Sequence, residues 1–244
     1  MKLNCDLGES YGAWTVGLDN RVMPHIHQAS IACGFHGGDP LVMQKTIALA
    51  KHNQVSIGAH PSYPDLVGFG RRSMQCSREE IIAFVQYQVA ALAGMADVQG
   101  IQIDYVKPHG ALYNDMMKKT EVLEAILTAI QAYPKKLVLM LQASPAIATH
   151  RAIAKKFGVE LYAEAFADRA YDDDGRLVAR AENGAVLAQV AMLSQVKQLI
   201  EHGTVTTISG KQLPLDIDSL CVHGDNHEAI QAIAKIRALV NSCQ

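Results

Sequence analysis

Seven short runs of the chain are apolar at consecutive positions rather than at alternate ones. They are Leu3 to Cys5, Ala29 to Cys33, Val55 to Ala59, Tyr105 to Val106, Leu137 to Leu141, Glu160 to Ala163 and Ser219 to Val222. Strands that are apolar on both faces are the mark of a buried parallel sheet. Helical patterns with start signals lie between them. Asp39-Pro40 places an N-cap before a first-turn proline, and Ser144-Pro145 repeats the arrangement. Ser77 with Glu80, and Asp225 with Glu228, have the spacing of capping boxes. The predicted helices run from Pro40 to His52, Arg78 to Ala96, Glu121 to Ala132, Pro145 to Phe157, Gly184 to His202 and Asn226 to Asn241. Strands alternating with helices in this way predict an α/β fold, a (β/α) barrel occupying residues 1–244 as one domain.

Two stretches break the alternation. Tyr63 to Arg72 has the glycines and proline of an ordered loop over the barrel rim. Thr204 to Asp216, with β-rich Val205 to Ile208 and a Ser209-Gly210 turn, predicts a β-hairpin insertion. Seven strands are one short of the eightfold barrel, so a gap is expected in the wall unless the hairpin fills it.

Six of the seven strand runs stop at an ionisable residue. Parallel strands bring their C-terminal ends to one rim, so these residues are expected to meet there. The first run leads to Asp6 and Glu9, the second to His36 and Asp39, the third to His60. The fourth closes on Lys107-Pro108-His109-Gly110, the sixth on Glu164 with Asp168 and Arg169, and the last on His223. Only Leu137 to Leu141 ends without charge, at Gln142.

Composition narrows the partners. With 244 residues, 49% of them hydrophobic, the chain can bury a large core. A net charge of −2 suggests neither nucleic acid nor an anionic membrane as a partner, and a small-molecule substrate is expected. Five cysteines cannot all pair, and Cys5, Cys33 and Cys221 fall inside strand runs, where a free thiol acts as a small buried hydrophobe. No C-x-x-C pair occurs, which disfavours a cysteine zinc site. The start at Met1-Lys2-Leu3-Asn4-Cys5-Asp6 reads as a strand with a polar end rather than a signal peptide, and no uncharged apolar stretch is long enough to span a membrane. A soluble, cytoplasmic protein is expected, with self-association left open.

The rim residues suggest specific chemistry. A carboxylate at Asp6 can bind a cation, accept a proton or orient a neighbour, or simply cap its loop. His36 is surrounded by Gly34, Gly37 and Gly38, which let the backbone approach a ligand. Pro61 holds His60 in extended backbone. Lys107 and His109, one residue apart, share a face and can together meet an oxyanion and move a proton, with Tyr113 four residues further on. Arg71, Arg169 and Arg180 are the guanidinium candidates for gripping a carboxylate or phosphate. An N-cap role fully explains Asp39 and Asp225, which leaves His223 as the functional residue of the last strand. Asp6, His36, His60 and His109 are the candidate ligands if a divalent metal is bound. No G-x-x-x-x-G-K-[ST] loop is present.

In order along the chain stand Asn4-Cys5-Asp6-Leu7-Gly8-Glu9, Ala32-Cys33-Gly34-Phe35-His36-Gly37-Gly38-Asp39, Gly58-Ala59-His60-Pro61 and Gly68-Phe69-Gly70-Arg71. They are followed by Val106-Lys107-Pro108-His109-Gly110-Ala111-Leu112-Tyr113, Glu164-Ala165-Phe166-Ala167-Asp168-Arg169 and Val222-His223-Gly224-Asp225. Together these motifs resemble the LamB/YcsF family over nearly the whole chain. The resemblance implies an irregular seven-stranded barrel of the glycoside hydrolase/deacetylase type. It implies cleavage of 5-oxo-L-proline to L-glutamate coupled to hydrolysis of ATP to ADP and phosphate. ATP would be a co-substrate with Mg²⁺, without an organic prosthetic group, and the partners would be the B and C subunits of a 5-oxoprolinase. Its catalytic residues would come from Asp6, His36, His60, Lys107, His109, Glu164 and His223, with Arg71, Tyr113, Asp168 and Arg169 binding substrate. Two other readings stay open: a metal-dependent, deacetylase-like amide hydrolase, and a non-catalytic subunit that only binds the lactam.

Overall fold

In the computed structural model, which describes residues 1–180, 182–223 and 227–242, parallel strands close into a barrel. The strands are β1 (Lys2–Leu7), β2 (Gln28–Ala32), β3 (Ser56–His60), β4 (Ile103–Val106), β5 (Val138–Gln142), β6 (Leu161–Phe166) and, after a hairpin, β9 (Ser219–Cys221). Each pairs in parallel with the next, and β9 returns to β1 with Lys2 opposite Ser219 and Asn4 opposite Cys221. The wall is therefore complete with seven strands, and the expected gap does not exist. The predicted hairpin is present as β7 (Thr204–Thr206) and β8 (Gln212–Pro214), but it forms a separate antiparallel sheet and fills nothing in the barrel.

Register explains how so narrow a barrel is packed. Asp6 stands opposite Ser30, Ser30 opposite Gly58, and Gly58 opposite Tyr105. The Tyr105 ring needs the room that Gly58 leaves, because a Cβ there would lie 2.4 Å from the ring. Its hydroxyl is satisfied by Ser30 Oγ at 3.1 Å. A polar layer thus crosses the interior without an unpaired hydroxyl.

The helices are α1 (Asp19–Val22), α2 (Pro40–His52), α3 (Arg78–Val98), α4 (Gly110–Lys118), α5 (Thr120–Gln131), α6 (Ile147–Lys156), α7 (Gln189–His202) and α8 (His227–Asn241), with a 3₁₀ turn at Met23–His25. Asp39 caps α2 by accepting from the N–H groups of Leu41 and Val42. Ser77 and Glu80 form the expected capping box on α3. That helix is long and apolar enough by length and composition to cross a membrane, yet it packs against α2 and α5.

Two helix starts differ from expectation. Ser144 does not cap α6: its Oγ accepts from Ala146 N, and the helix begins at Ile147. α7 begins at Gln189 rather than Gly184, because bridges from Arg169 to Val186 and from Tyr171 to Leu177 fold the preceding residues back on themselves. The Glu228 carboxylate accepts from Gln189 N at the start of α7. Its predicted capping partner, Asp225, lies outside the described residues.

Candidate active site

The C-terminal ends of the strands open into a cavity of about 780 Å³ whose lining includes Asp6, Glu9, His60, Lys107, His109 and His223. Glu164 and His36 stand just behind its surface, 0% and 1% exposed. Two polar groups adjoin there, a floor around Lys107 and a cluster of histidines around Glu9.

In the floor, Lys107 follows β4 and reaches the barrel axis, 2% exposed. Its Nζ lies 2.9 Å from Asp6 Oδ1 and 2.9 Å from Glu164 Oε2. It also donates to Asn4 Oδ1 and to Cys221 Sγ, each at 3.2 Å. Two carboxylates and two neutral acceptors thus crowd one ammonium. Burial alone would lower the lysine pKa, but Asp6 foremost, with Cys221 and Glu164, holds it well above its ordinary value. Burial likewise opposes ionisation of Asp6, yet His60, Lys107 and His223 hold that carboxyl well below the usual carboxylate range. His60 is itself neutral by burial, so the Lys107 ammonium is the cation responsible. Burial pushes Glu164 up, against Lys107, and its other oxygen accepts from the Tyr113 hydroxyl at 2.8 Å. Asn4 also donates to Glu164, at 3.2 Å.

In the histidine cluster, Glu9 Oε1 lies 3.4 Å from His36 Nε2, 3.4 Å from His109 Nδ1 and 4.0 Å from His60 Nε2. The loops after β1 and β2 touch backbone to backbone, since a Cβ on Gly37 would fall 2.5 Å from the Glu9 carbonyl oxygen. The glycine at 37 is thus what lets His36 and Glu9 meet. The His36 and His109 rings stack at 3.7 Å, and His60 stands edge-on to both. Burial lowers all three imidazoles, His36 and His109 to about 3 and His60 well below its ordinary value, so they are neutral bases at pH 7.

The third side of the cavity carries His223. Its Nδ1 lies 2.9 Å from Asp168 Oδ1, and its ring stacks on Phe166. A carboxylate accepts only, so Nδ1 bears the proton and Nε2 is left with its lone pair. Asp168 is therefore bonded to a histidine in the site. Arg169 donates to the Ala185 and Val178 carbonyls, which pins the chain between β6 and α7. Arg71 lines the cavity with its guanidinium 5.0 Å above the Phe69 ring, and Arg180 and Tyr113 line it as well.

Most of the strand-end residues converge as the topology requires. Asp6 bridges the two groups, with Oδ1 on Lys107 and Oδ2 3.5 Å from His60 Nε2, and Glu9 joins the three histidines. Its sequence signal was the Asp6-Leu7-Gly8-Glu9 spacing after a strand. Asn4 and Cys221 gave no signal beyond strand periodicity.

The sequence signature of the LamB/YcsF family spans residues 1–244. The chain is 51% identical over 240 residues to a Pseudomonas fluorescens protein named as the A subunit of 5-oxoprolinase, covering 98% of this chain and 96% of that one. It is 50% identical over 236 residues to the Chromohalobacter salexigens protein of the same name, covering 96% and 94%. A solved structure of a lactam utilization protein from Thermus thermophilus matches with a TM-score of 0.90 at 36% identity, covering 99% of this chain and 96% of that one.

Proposed function

The chain belongs to the LamB/YcsF family, and from that premise we propose that it is the A component of an ATP-dependent 5-oxoprolinase, opening 5-oxo-L-proline to L-glutamate. The observation that carries this reading is identity of half the residues, over nearly the full length, to relatives that bear that name. The site's chemistry supports it. A five-membered lactam is a stable amide, and transfer of the ATP γ-phosphoryl group to its oxygen makes C5 electrophilic. Water then adds to C5, the C5–N bond breaks as nitrogen takes a proton, and a second water releases phosphate from the γ-glutamyl phosphate so formed. Glutamate, ADP and phosphate are the products.

In this reading His223 is the base that takes the water proton and returns it to the leaving nitrogen, with Asp168 fixing its tautomer. Lys107 keeps Asp6 ionised beside the reacting centre rather than touching the substrate. Arg71 or Arg180, both on the cavity wall, grips the substrate carboxylate. The nucleotide with its Mg²⁺, and the phosphoryl-transfer step, involve the partner B and C subunits, since the sequence has no phosphate loop of the P-loop type. Release of glutamate and ADP, measured for the purified chain and for the chain co-expressed with B and C, tests the whole. Turnover is expected only in the complex. Vigorous ATP-dependent turnover by the single chain overturns the division of labour, and no glutamate from the complex overturns the activity.

A further inference from the structure

The protons of the histidine cluster do not suffice for its contacts. His60 Nδ1 lies 2.7 Å from the Lys107 carbonyl oxygen, and His109 Nε2 lies 2.9 Å from the Phe69 carbonyl oxygen. A carbonyl cannot donate, so each neutral ring has its only N–H committed there. The remaining nitrogens, His60 Nε2 and His109 Nδ1, face each other at 2.9 Å as two lone pairs. His36 is buried and neither of its ring nitrogens has a hydrogen-bond partner. Beside them the Glu9 carboxylate adds an anion, and one donor atom from each of the four residues falls within 4.8 Å of the others. Such a convergence of electron pairs is costly in a buried site unless a cation joins it.

We propose that Glu9, His36, His60 and His109 bind one divalent transition-metal ion of the zinc class. Zinc–ligand bonds of about 2.0–2.2 Å in a tetrahedron set neighbouring ligand atoms roughly 3.3–3.6 Å apart. Four of the six separations, 2.9, 3.4, 3.4 and 4.0 Å, bracket that range, and His36, stacked face to face on His109 but held by no hydrogen bond through its ring, turns to aim its lone pair at the same ion. Three imidazoles and one carboxylate suit zinc and its neighbours, whereas Mg²⁺ and Ca²⁺ take oxygen ligands. The Lys107 and Phe69 carbonyls supply the outer-shell acceptors that metal-binding histidines need for a fixed tautomer and orientation. Glu9, His60 and His109 border the cavity, which gives an ion its way in and a face toward a bound amide. There it would polarise a carbonyl or a water. Metal binding is measured without turnover, so it stands or falls apart from the lactam reading.

Metal-free full-length chain is titrated with Zn²⁺ by calorimetry and with Co²⁺ by visible absorption at pH 7. One ion per chain is expected, with a Kd below about 1 μM and the intense d–d bands of four-coordinate cobalt. Glu9→Gln and His36→Ala, each removing a ligand, should weaken binding more than the roughly 10–100-fold typical of outer-shell changes. Should those variants fail to fold, the ¹⁵N shifts of His60 Nε2 and His109 Nδ1 in the unaltered chain carry the test, and both are expected to move on adding Zn²⁺. No binding tighter than about 1 mM, binding unchanged in both folded variants, or ring nitrogens that share a proton and ignore Zn²⁺ would each overturn the proposal.

Discussion

Lys107 Nζ and Glu164 Oε2 meet at 2.9 Å across the barrel interior, from strand ends that are not neighbours in the sheet. The contact passes over β5, the one strand whose end carries no charge. Removing one partner of such a pair leaves an uncompensated buried charge, at a cost of about 3–5 kcal/mol. Lys107→Met is therefore expected to lose that much stability in urea at pH 7 and to lose activity in the multi-subunit complex. Lys107→Met combined with Glu164→Gln should regain part of the stability and none of the activity. A single variant as stable as the parent would show that the charges are solvated.

His223 and Asp168 should separate into chemistry and positioning. His223→Ala is expected to lower kcat of the complex by about 10²–10⁴-fold, the usual contribution of a general base. Asp168→Asn keeps the shape but removes the anion that fixes the tautomer, so kcat should fall while KM holds and the pH–rate profile shifts. Equal changes in kcat and KM, with the profile unmoved, would assign the pair to substrate binding alone.

Gly37 is the point where two loops touch. A Cβ there would press on the Glu9 carbonyl oxygen, backbone against backbone, with no flexible side chain to yield. Gly37→Ala is expected to displace Glu9 from the histidines and to cost roughly 1–3 kcal/mol as overpacking does. Thermal melting measures the cost. A crystal structure of the variant with Glu9 Oε1 still 3.4 Å from His36 Nε2 would refute the displacement.

At the opposite end of β1, half-buried His27 accepts a hydrogen bond from Leu3 N through Nδ1 at 2.9 Å. Burial, and then the positive charges of Arg237, Lys2 and the N-terminus, lower its pKa to about 4. Above about pH 6.5 the ring is neutral in folded and unfolded chains alike, and nothing is lost. As pH falls from there toward 4, the unfolded chain takes up a proton that the folded chain refuses, so stability declines. Solvent around the ring keeps the loss to about 1 kcal/mol. His27→Gln should flatten this part of the stability–pH curve, and an unchanged slope would locate the effect elsewhere.

The barrel was legible because its strands are short, apolar on both faces and followed by polar residues, and Asp39 and Ser77 announced their helices. α4 was not, since no side chain caps it and Gly110, which opens it, has a φ of 55°. The functional pairings were hidden for a different reason. Asp168 and His223 are 55 positions apart, and Arg169 finds its partners, the Val178 and Ala185 carbonyls, only once those residues fold back. Sequence periodicity places a residue at a rim without saying which neighbour it will meet there. Glu9 was undervalued because its place among the histidines depends on the loop contact at Gly37.

The segment from Arg169 to Arg180 is anchored by its Tyr171–Leu177 bridge and by Thr207 and Ser209 of the hairpin, whose hydroxyls donate to Asp173. It supplies a wall of the cavity, including Leu177, Val178 and Arg180, while the floor and the histidines come from the strand ends. On the proposed reading, the groups assigned to the reaction and the residues that shape this wall come from separate stretches of chain. Residues on this wall can drift, shorten or lengthen to admit a differently shaped cyclic amide, and the charge array beneath stays in register. An engineer wanting a new substrate should graft the wall and leave the rim alone.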